Sequence, residues 1–543
     1  MKKKFYTSLI FIPVLILLSG CRDKFLEVEP VASYLEENYY QTEEQAFNAL
    51  IAAYDPLQWT MYGGFWVSHV MYGEIRSDNA NAGGDPTNAD QPGWQELDDF
   101  TNSTLTNESY WIWNRCYAGI YRANLVLNNV EIESATVNRY KAEAKFLRAY
   151  YHFDAFRHYG PSVVLDKVLL PTEYNQARST MSENFELMVA DLEAAIPLLP
   201  LTVSESFAGR ITKGAAQALL GKIYLYWADL DNDNVATFDK AAAALGEVVN
   251  EGQYQLLDDF NELFAFGNSN SAESIFEIQH SNISPSNWGW PNNWIDGNVF
   301  AQLCGVRSLC AEHPDYNAGW GFMLPTQSLY NHFLTDDTYR RNAAILSEAE
   351  IVWDIEAASP GGCGGNYIGM ADQNMEDFTG YWQEKYPIYK AYSNPNGGDL
   401  VLNLDANVFV IRYADVLLML AEALHRGSGA DGEAETYIDM VRERAAGPGD
   451  NTGNFRTVAQ LMNDEGWTLL EAIWYERRAE LAGEGDRWFD LVRSGRAHAG
   501  LFNGDPVREP NFAPEDEWIP IAQREIDVTN QALTAYPGPE LFK

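Results

Sequence analysis

Six of the sixteen tryptophans in this 543-residue chain fall between residues 281 and 400: Trp288, Trp290, Trp294, Trp320, Trp353 and Trp382. Three of them crowd into Ser286-Asn-Trp-Gly-Trp-Pro-Asn-Asn-Trp294, among amides, glycine and proline, without the three-to-four-residue return of a buried helix face. An indole held out on such a loop can bury a flat patch of C–H bonds while nearby Asn, Asp, Gln or Arg side chains pair with hydroxyls. That is the chemistry of holding a sugar. Any single ring could instead close a loop over the core, yet at least one of Trp288, Trp290, Trp294 and Trp320 is expected to touch a ligand.

Other chemistry is poorly provided for. No H-E-x-x-H, G-x-S-x-G or G-x-x-x-x-G-K pattern occurs, so no enzyme activity and no cofactor are expected. With 77 acidic side chains, pairs such as Asp98-Asp99 and Asp336-Asp337 arise by chance and do not mark a glycosidase. Asp229-x-Asp231-x-Asp233 opens like a calcium loop, but Asn234 stands where glycine belongs and Lys240 where the bidentate glutamate belongs, so no metal site is expected. The 37 basic side chains leave a net charge of −40 spread along the chain. Such a surface repels polyanions, which disfavours nucleic acid and acidic sugars and favours neutral ligands.

The N-terminus is an export signal. Lys2, Lys3 and Lys4 precede an apolar run from Phe5 to Leu18 that is short for a bilayer span. Leu18-Ser19-Gly20-Cys21 then has the form of a bacterial lipobox, which predicts removal of residues 1–20 and diacylation of Cys21. Two acyl chains anchor a protein stably where one does not. The loss of three lysines and no acid would leave a mature charge of −43. Four cysteines remain, Cys116, Cys304, Cys310 and Cys363, of which Cys304 and Cys310 could bridge a small loop.

Residues 40–250 repeat apolar positions every three or four places, the pattern of helices. Between Asn138 and Tyr159, Phe146, Tyr150 and Phe153 share one helical face, and Gly160-Pro161 supplies the stop. From Ile411 the positions Leu417, Leu420, Ala421 and Leu424 define a helix ending at Gly427-Ser-Gly, and Ala434 to Ala445 returns as its partner. Thr468-Leu-Leu-Glu471 is a capping box for one helix more. Between about 255 and 410 the character shifts to glycine, asparagine, proline and tryptophan, as in Gly361-Gly-Cys-Gly-Gly365. Long loops of that kind inside a compact chain tend to contact ligands.

Several separated stretches, in the right order, resemble those of the SusD/RagB lipoproteins. They are Phe25 to Pro30, YWIWNRCYAGIYRAN (Tyr110–Asn124), KAEAKFLRAYYHFDAFRHYG (Lys141–Gly160), SIFEI (Ser274–Ile278), IRYADVLLMLAEAL (Ile411–Leu424), ERRAELAGEGDRWFDLVRSG (Glu476–Gly495) and WIPI (Trp518–Ile521). Lys145, Ser162 and Asp415 depart from the family pattern. The resemblance implies a mainly α fold with four tetratricopeptide-like helix pairs and a loop-rich variable region with a few short strands. It divides the chain into the leader 1–20, an N-terminal helical region 21–250 and a C-terminal region 251–543, with ligand-contacting loops at 281–400 and a helical block at 408–500. It also implies an outer-membrane, surface-exposed position and a SusC-like TonB-dependent β-barrel transporter as partner, with a neutral oligo- or polysaccharide as cargo; a RagB-like peptide ligand is the alternative. In relatives the early loop contributes to the site, which here offers Asp78, Asn79 and Trp94. The charged signature residues Arg148, Arg412, Glu476, Arg477, Glu480 and Arg487 are expected to pair within the scaffold.

Overall fold

The computed structural model describes residues 39–62, 65–66, 68–85, 87, 89–283, 286–288, 295–358, 375, 377–448 and 455–542. Ten helices make its body: α1 (Glu43–Tyr54), α2 (Asn107–Asn129), α3 (Ala135–Tyr159), α4 (Met181–Ala195), α5 (Lys213–Leu230), α6 (Val235–Glu251), α7 (Tyr413–Arg426), α8 (Asp431–Ala445), α9 (Leu469–Leu481) and α10 (Arg487–Arg493). They stack nearly in chain order. α1 lies on α2 and α3, α3 on α4, α4 on α5, α5 on α6, α6 on α7, and α7 on α8 and α9. The four pairs α1/α2, α3/α4, α5/α6 and α7/α8 form a helical-repeat array, and one continuous apolar core runs through both halves of the chain.

Local signals explain where the helices begin and end. Ser134 caps α3 by accepting from the Val137 amide, and Gly160 stops it at φ +70°, a backbone geometry that side chains disfavour. Thr468 and Glu471 form the expected capping box on α9. The interior of α3 departs from the one-sided pattern: from Phe146 to Tyr159 every residue is buried, polar ones included, because α2 and α4 cover opposite sides. α7 also starts two residues later than its periodicity suggests. Val408–Arg412 is a strand, β6, antiparallel to β2 (Ser274–Ile278) with Ile411 opposite Phe276, and the chain passes straight from β6 into α7.

The buried charges are matched. Arg148 forks onto both oxygens of Asp191 at 2.7 Å, and Arg477 bonds Asp415 at 2.9 Å and Asp490 at 3.0 Å. Arg412 reaches Glu273, Glu480 and Glu484 at 2.8, 2.5 and 2.7 Å, while Arg340 and Arg442 share Glu476. All six signature residues are thus paired, Arg487 with Asp78. The aborted calcium loop is spent the same way: Asp229 meets Arg493 and Arg426, and Asp233 meets Arg426.

Between α6 and α7 lie residues 252–412, which carry the loops. Here β3 (Phe322–Pro325) pairs antiparallel with β1 (Ala80–Gly83), and β4 (Ile345–Ser347) with β5 (Tyr381–Gln383). Trp382 is fully buried beneath the second ladder, in a small core with Leu324, Leu346, Ile351 and Ile355. A Cys304–Cys310 bridge is not formed. Cys310 is disulfide-bonded, whereas Cys304 and Cys116 are free thiols inside the core. Cys304 sits on the short helix Phe300–Cys304, whose residues are all buried. Among the described residues no helix is long and apolar enough to cross a membrane.

Candidate ligand-binding site

Trp288 is half exposed, and its ring lies 6.1 Å from that of the half-buried Trp320, tilted by 36°. The two rings come from loops that the rest of the molecule holds firmly. The Trp288 amide donates to Asp399 Oδ2 at 2.8 Å. The Trp320 amide donates to the Gln302 carbonyl at 2.8 Å, and its own carbonyl accepts from Arg307 Nη1 at 3.0 Å. Gly319, just before Trp320, lies against Gly305 so closely that a Cβ would stand 2.3 Å from the Gly305 Cα, which explains glycine at both positions.

Beside Trp320 opens a cleft of about 420 Å³ lined by Asp90, Gln91, Arg307, Ser308, Gly319 and Phe322. Arg307 and Asp90 bridge across it at 2.8 Å. The backbone around it is unusual: Ala89, Gln91 and Ser308 all take the left-handed conformation, at φ of 51°, 54° and 54°. Non-glycine residues hold that geometry at a cost of about 1 kcal/mol or more each, and they gather where a loop must aim its side chains. The result is two tilted indoles next to a hydroxyl, a primary amide and a matched ion pair. That set stacks on apolar ring faces and trades hydrogen bonds with hydroxyls.

The other expected site residues are placed differently. Trp94 has no exposed surface; it packs edge-on against Phe322, ring centroids 5.4 Å apart, so it supports the cleft floor from behind and is not a platform. Asp78 and Asn79 are buried as well. The Asp78 carboxylate is held between Arg487 at 2.7 Å and Arg478 at 3.0 Å, which keep it ionised far below the usual carboxylate range. Asn79 donates to Glu74 and accepts from Arg478. The backbone carbonyls of Asp78 and Asn79 accept from Thr326 Oγ1 and the Thr326 amide, locking β1 onto β3. Neighbouring Arg76 lies between the rings of Phe100 and Trp488 at 5.1 and 5.2 Å. These residues fasten the early loop to the C-terminal signature and position the strand behind Trp320; a buried, fully paired carboxylate is no ligand group. Trp290, Trp294 and Cys21 lie outside the described residues. Arg307, Gln91 and Ser308 escape a reading by residue type, since only the left-handed turns that aim them set them apart.

With this geometry in view, the comparisons with known proteins are direct. Residues 361–538 match the family model described as the SusD family, and residues 24–225 one described as starch-binding, associating with outer membrane. A SusD-like protein P2 of Formosa agariphila is 28% identical over 99% of this chain and 97% of its own length. Among solved structures, one described as a laminarin binding SusD-like protein is 31% identical and superposes with a TM-score of 0.75 over 92% of this chain and 100% of its own. Surface glycan-binding protein A from Bacteroides thetaiotaomicron, in complex with laminarihexaose, is 25% identical with a TM-score of 0.76, covering 90% of this chain and 98% of that one. The chain belongs to the SusD family.

Proposed function

We propose that this protein is a cell-surface glycan-capture lipoprotein, anchored in the outer membrane through acylated Cys21, that holds a neutral oligosaccharide on Trp288 and Trp320 and passes it to a SusC-like TonB-dependent transporter. The observation that carries the reading is the tilted Trp288–Trp320 pair at the mouth of a cleft lined by Asp90, Gln91, Arg307 and Ser308. Trp290 and Trp294, close by in sequence, are proposed to extend the platform. Laminarin is the first ligand to test, because the 31%-identical relative is named for binding it and another relative is described in complex with laminarihexaose. The net charge supports a neutral over a polyanionic glycan.

The test is binding of the lipid-free mature chain to laminarin, starch, mannan, an anionic polysaccharide and a peptide mixture, with Trp288→Ala and Trp320→Ala in parallel. Binding to a neutral glycan that weakens in both variants is expected. Peptide binding, or glycan binding indifferent to both substitutions, would overturn the reading.

A further inference from the structure

A second cleft, of about 410 Å³, opens in the same loop region between the turn 263–270, the strand end 277–283 and the segments 385–392 and 405–409. One wall is aromatic. Phe266 is about half exposed and stands edge-on to Tyr392 with ring centroids 4.9 Å apart, and Tyr389 follows 6.0 Å from Tyr392. The opposite wall is a run of side-chain amides: Asn270 and Gln279 bond each other reciprocally at 2.9 and 3.1 Å, Asn407 donates to Gln279 at 3.0 Å, and Asn282 donates to Asp405 at 3.2 Å. Each amide offers two donors and two acceptor sites; Gln279 spends all of its own, donating to Asn270 and to the Glu277 carbonyl and accepting from Asn270 and Asn407, whereas among the described residues Asn270 and Asn282 use only part of theirs. The backbone turn at Asn270 is left-handed, φ 57°, and is clamped by both oxygens of buried Glu277 accepting from its amide.

The charges around this space suit something polar and uncharged. Among the described residues its lining cation, Lys385, is buried and already bonded to Glu484 at 2.6 Å and to the Glu480 carbonyl, so none of them is free to balance an anion. Glu277 and Asp405 add negative charge.

The second cleft is tied to the first. Asn282 and Trp288 are six positions apart, which bounds their separation at about 22 Å. Both are pinned to one segment: the Asn282 carbonyl accepts from Asn396 at 3.0 Å, and the Trp288 amide donates to Asp399. We propose that the Phe266–Tyr392–Asn282 cleft is a second contact region for the same neutral glycan, so that one long chain rests on Trp288 and Trp320 at one end and in this cleft at the other. The inference rests on the glycan reading above and adds that the protein selects by chain length.

Titration of the lipid-free mature chain and of Phe266→Ala and Asn282→Ala with laminaribiose, laminarihexaose and intact laminarin tests it. In each variant the affinity for intact laminarin should fall by about tenfold, the loss of one stacking or hydrogen-bonding contact, with laminaribiose binding and the melting temperature unchanged. Both variants keeping wild-type affinity for intact laminarin would overturn the second cleft while leaving the Trp288 site standing. A wild-type protein that binds none of the three, nor any other neutral glycan, would overturn both.

Discussion

The helical body and the loops of 252–412 use opposite chemistry. In the body, arginines and carboxylates are buried and matched to each other, as Arg477 is with Asp415 and Asp490 and Arg148 with Asp191. In the loops, indole, phenyl and amide groups stand beside the clefts with the Arg307–Asp90 pair already matched, and backbone held in the left-handed region aims several of them. Buried ions are costly to expose singly and so hold two surfaces in one register. Uncharged donors and rings can meet a neutral ligand without first giving up a tight hydration shell. The lesson is that in this strongly acidic chain charge serves position, and recognition is left to neutral groups.

The sharpest break in that contrast would come from the body. Arg477→Met should cost about 3–5 kcal/mol, because buried Asp415 and Asp490 lose their common partner. Urea unfolding measures it, and a cost no larger than that of a surface pair would contradict the division. Trp94→Ala should cost a similar ~3–5 kcal/mol as a core truncation, seen as a large fall in melting temperature. Trp288→Ala reverses the pattern: stability should hold within about 0.5 kcal/mol while glycan affinity falls about tenfold. Should Trp94→Ala instead spare stability and abolish binding, its assignment to the core would be wrong.

A smaller effect concerns Glu384, which burial raises from 4.5 to about 8 although Tyr316 donates to it. A group whose folded pKa is raised contributes stability that is complete below its unfolded pKa and is lost as pH rises through the folded value. Wild type should therefore lose stability relative to Glu384→Gln between about pH 4.5 and about pH 8, and denaturation curves at the two ends check it; a constant gap would show that the carboxyl is already ionised in the fold. The smallest expected effect is of salt. Affinity for a neutral glycan should change by less than about twofold between low and physiological ionic strength, since no charge pair forms with the ligand.

How much could be read in advance differs between the same two regions. Helix α9 announced itself through Thr468 and Glu471, and α3 through Gly160-Pro161, because caps and stops are local. The pairing of SIFEI with the start of the RYADVLL stretch was hidden, since strand partners far apart in sequence leave no local mark. At the site, Trp288 and Trp94 sit in similar glycine- and amide-rich surroundings and composition treats them alike. What separates them is Phe322, which meets Trp94 across more than two hundred residues of chain. For the same reason Asp78 looked like a ligand group until its arginines, Arg478 and Arg487, arrived from the far end of the sequence.

The stacking of α6 on α7 has a consequence for how the chain must be made. Phe238, Ala241, Leu245 and Val248 of α6 are buried, and α7, which covers part of that helix, does not exist until residues beyond 412 have been synthesised. The nascent N-terminal half therefore carries an unfinished, sticky end for as long as the intervening residues take to emerge, and such species aggregate readily. A cell that makes this protein has reason to keep a holding chaperone beside it until the last repeats close the array.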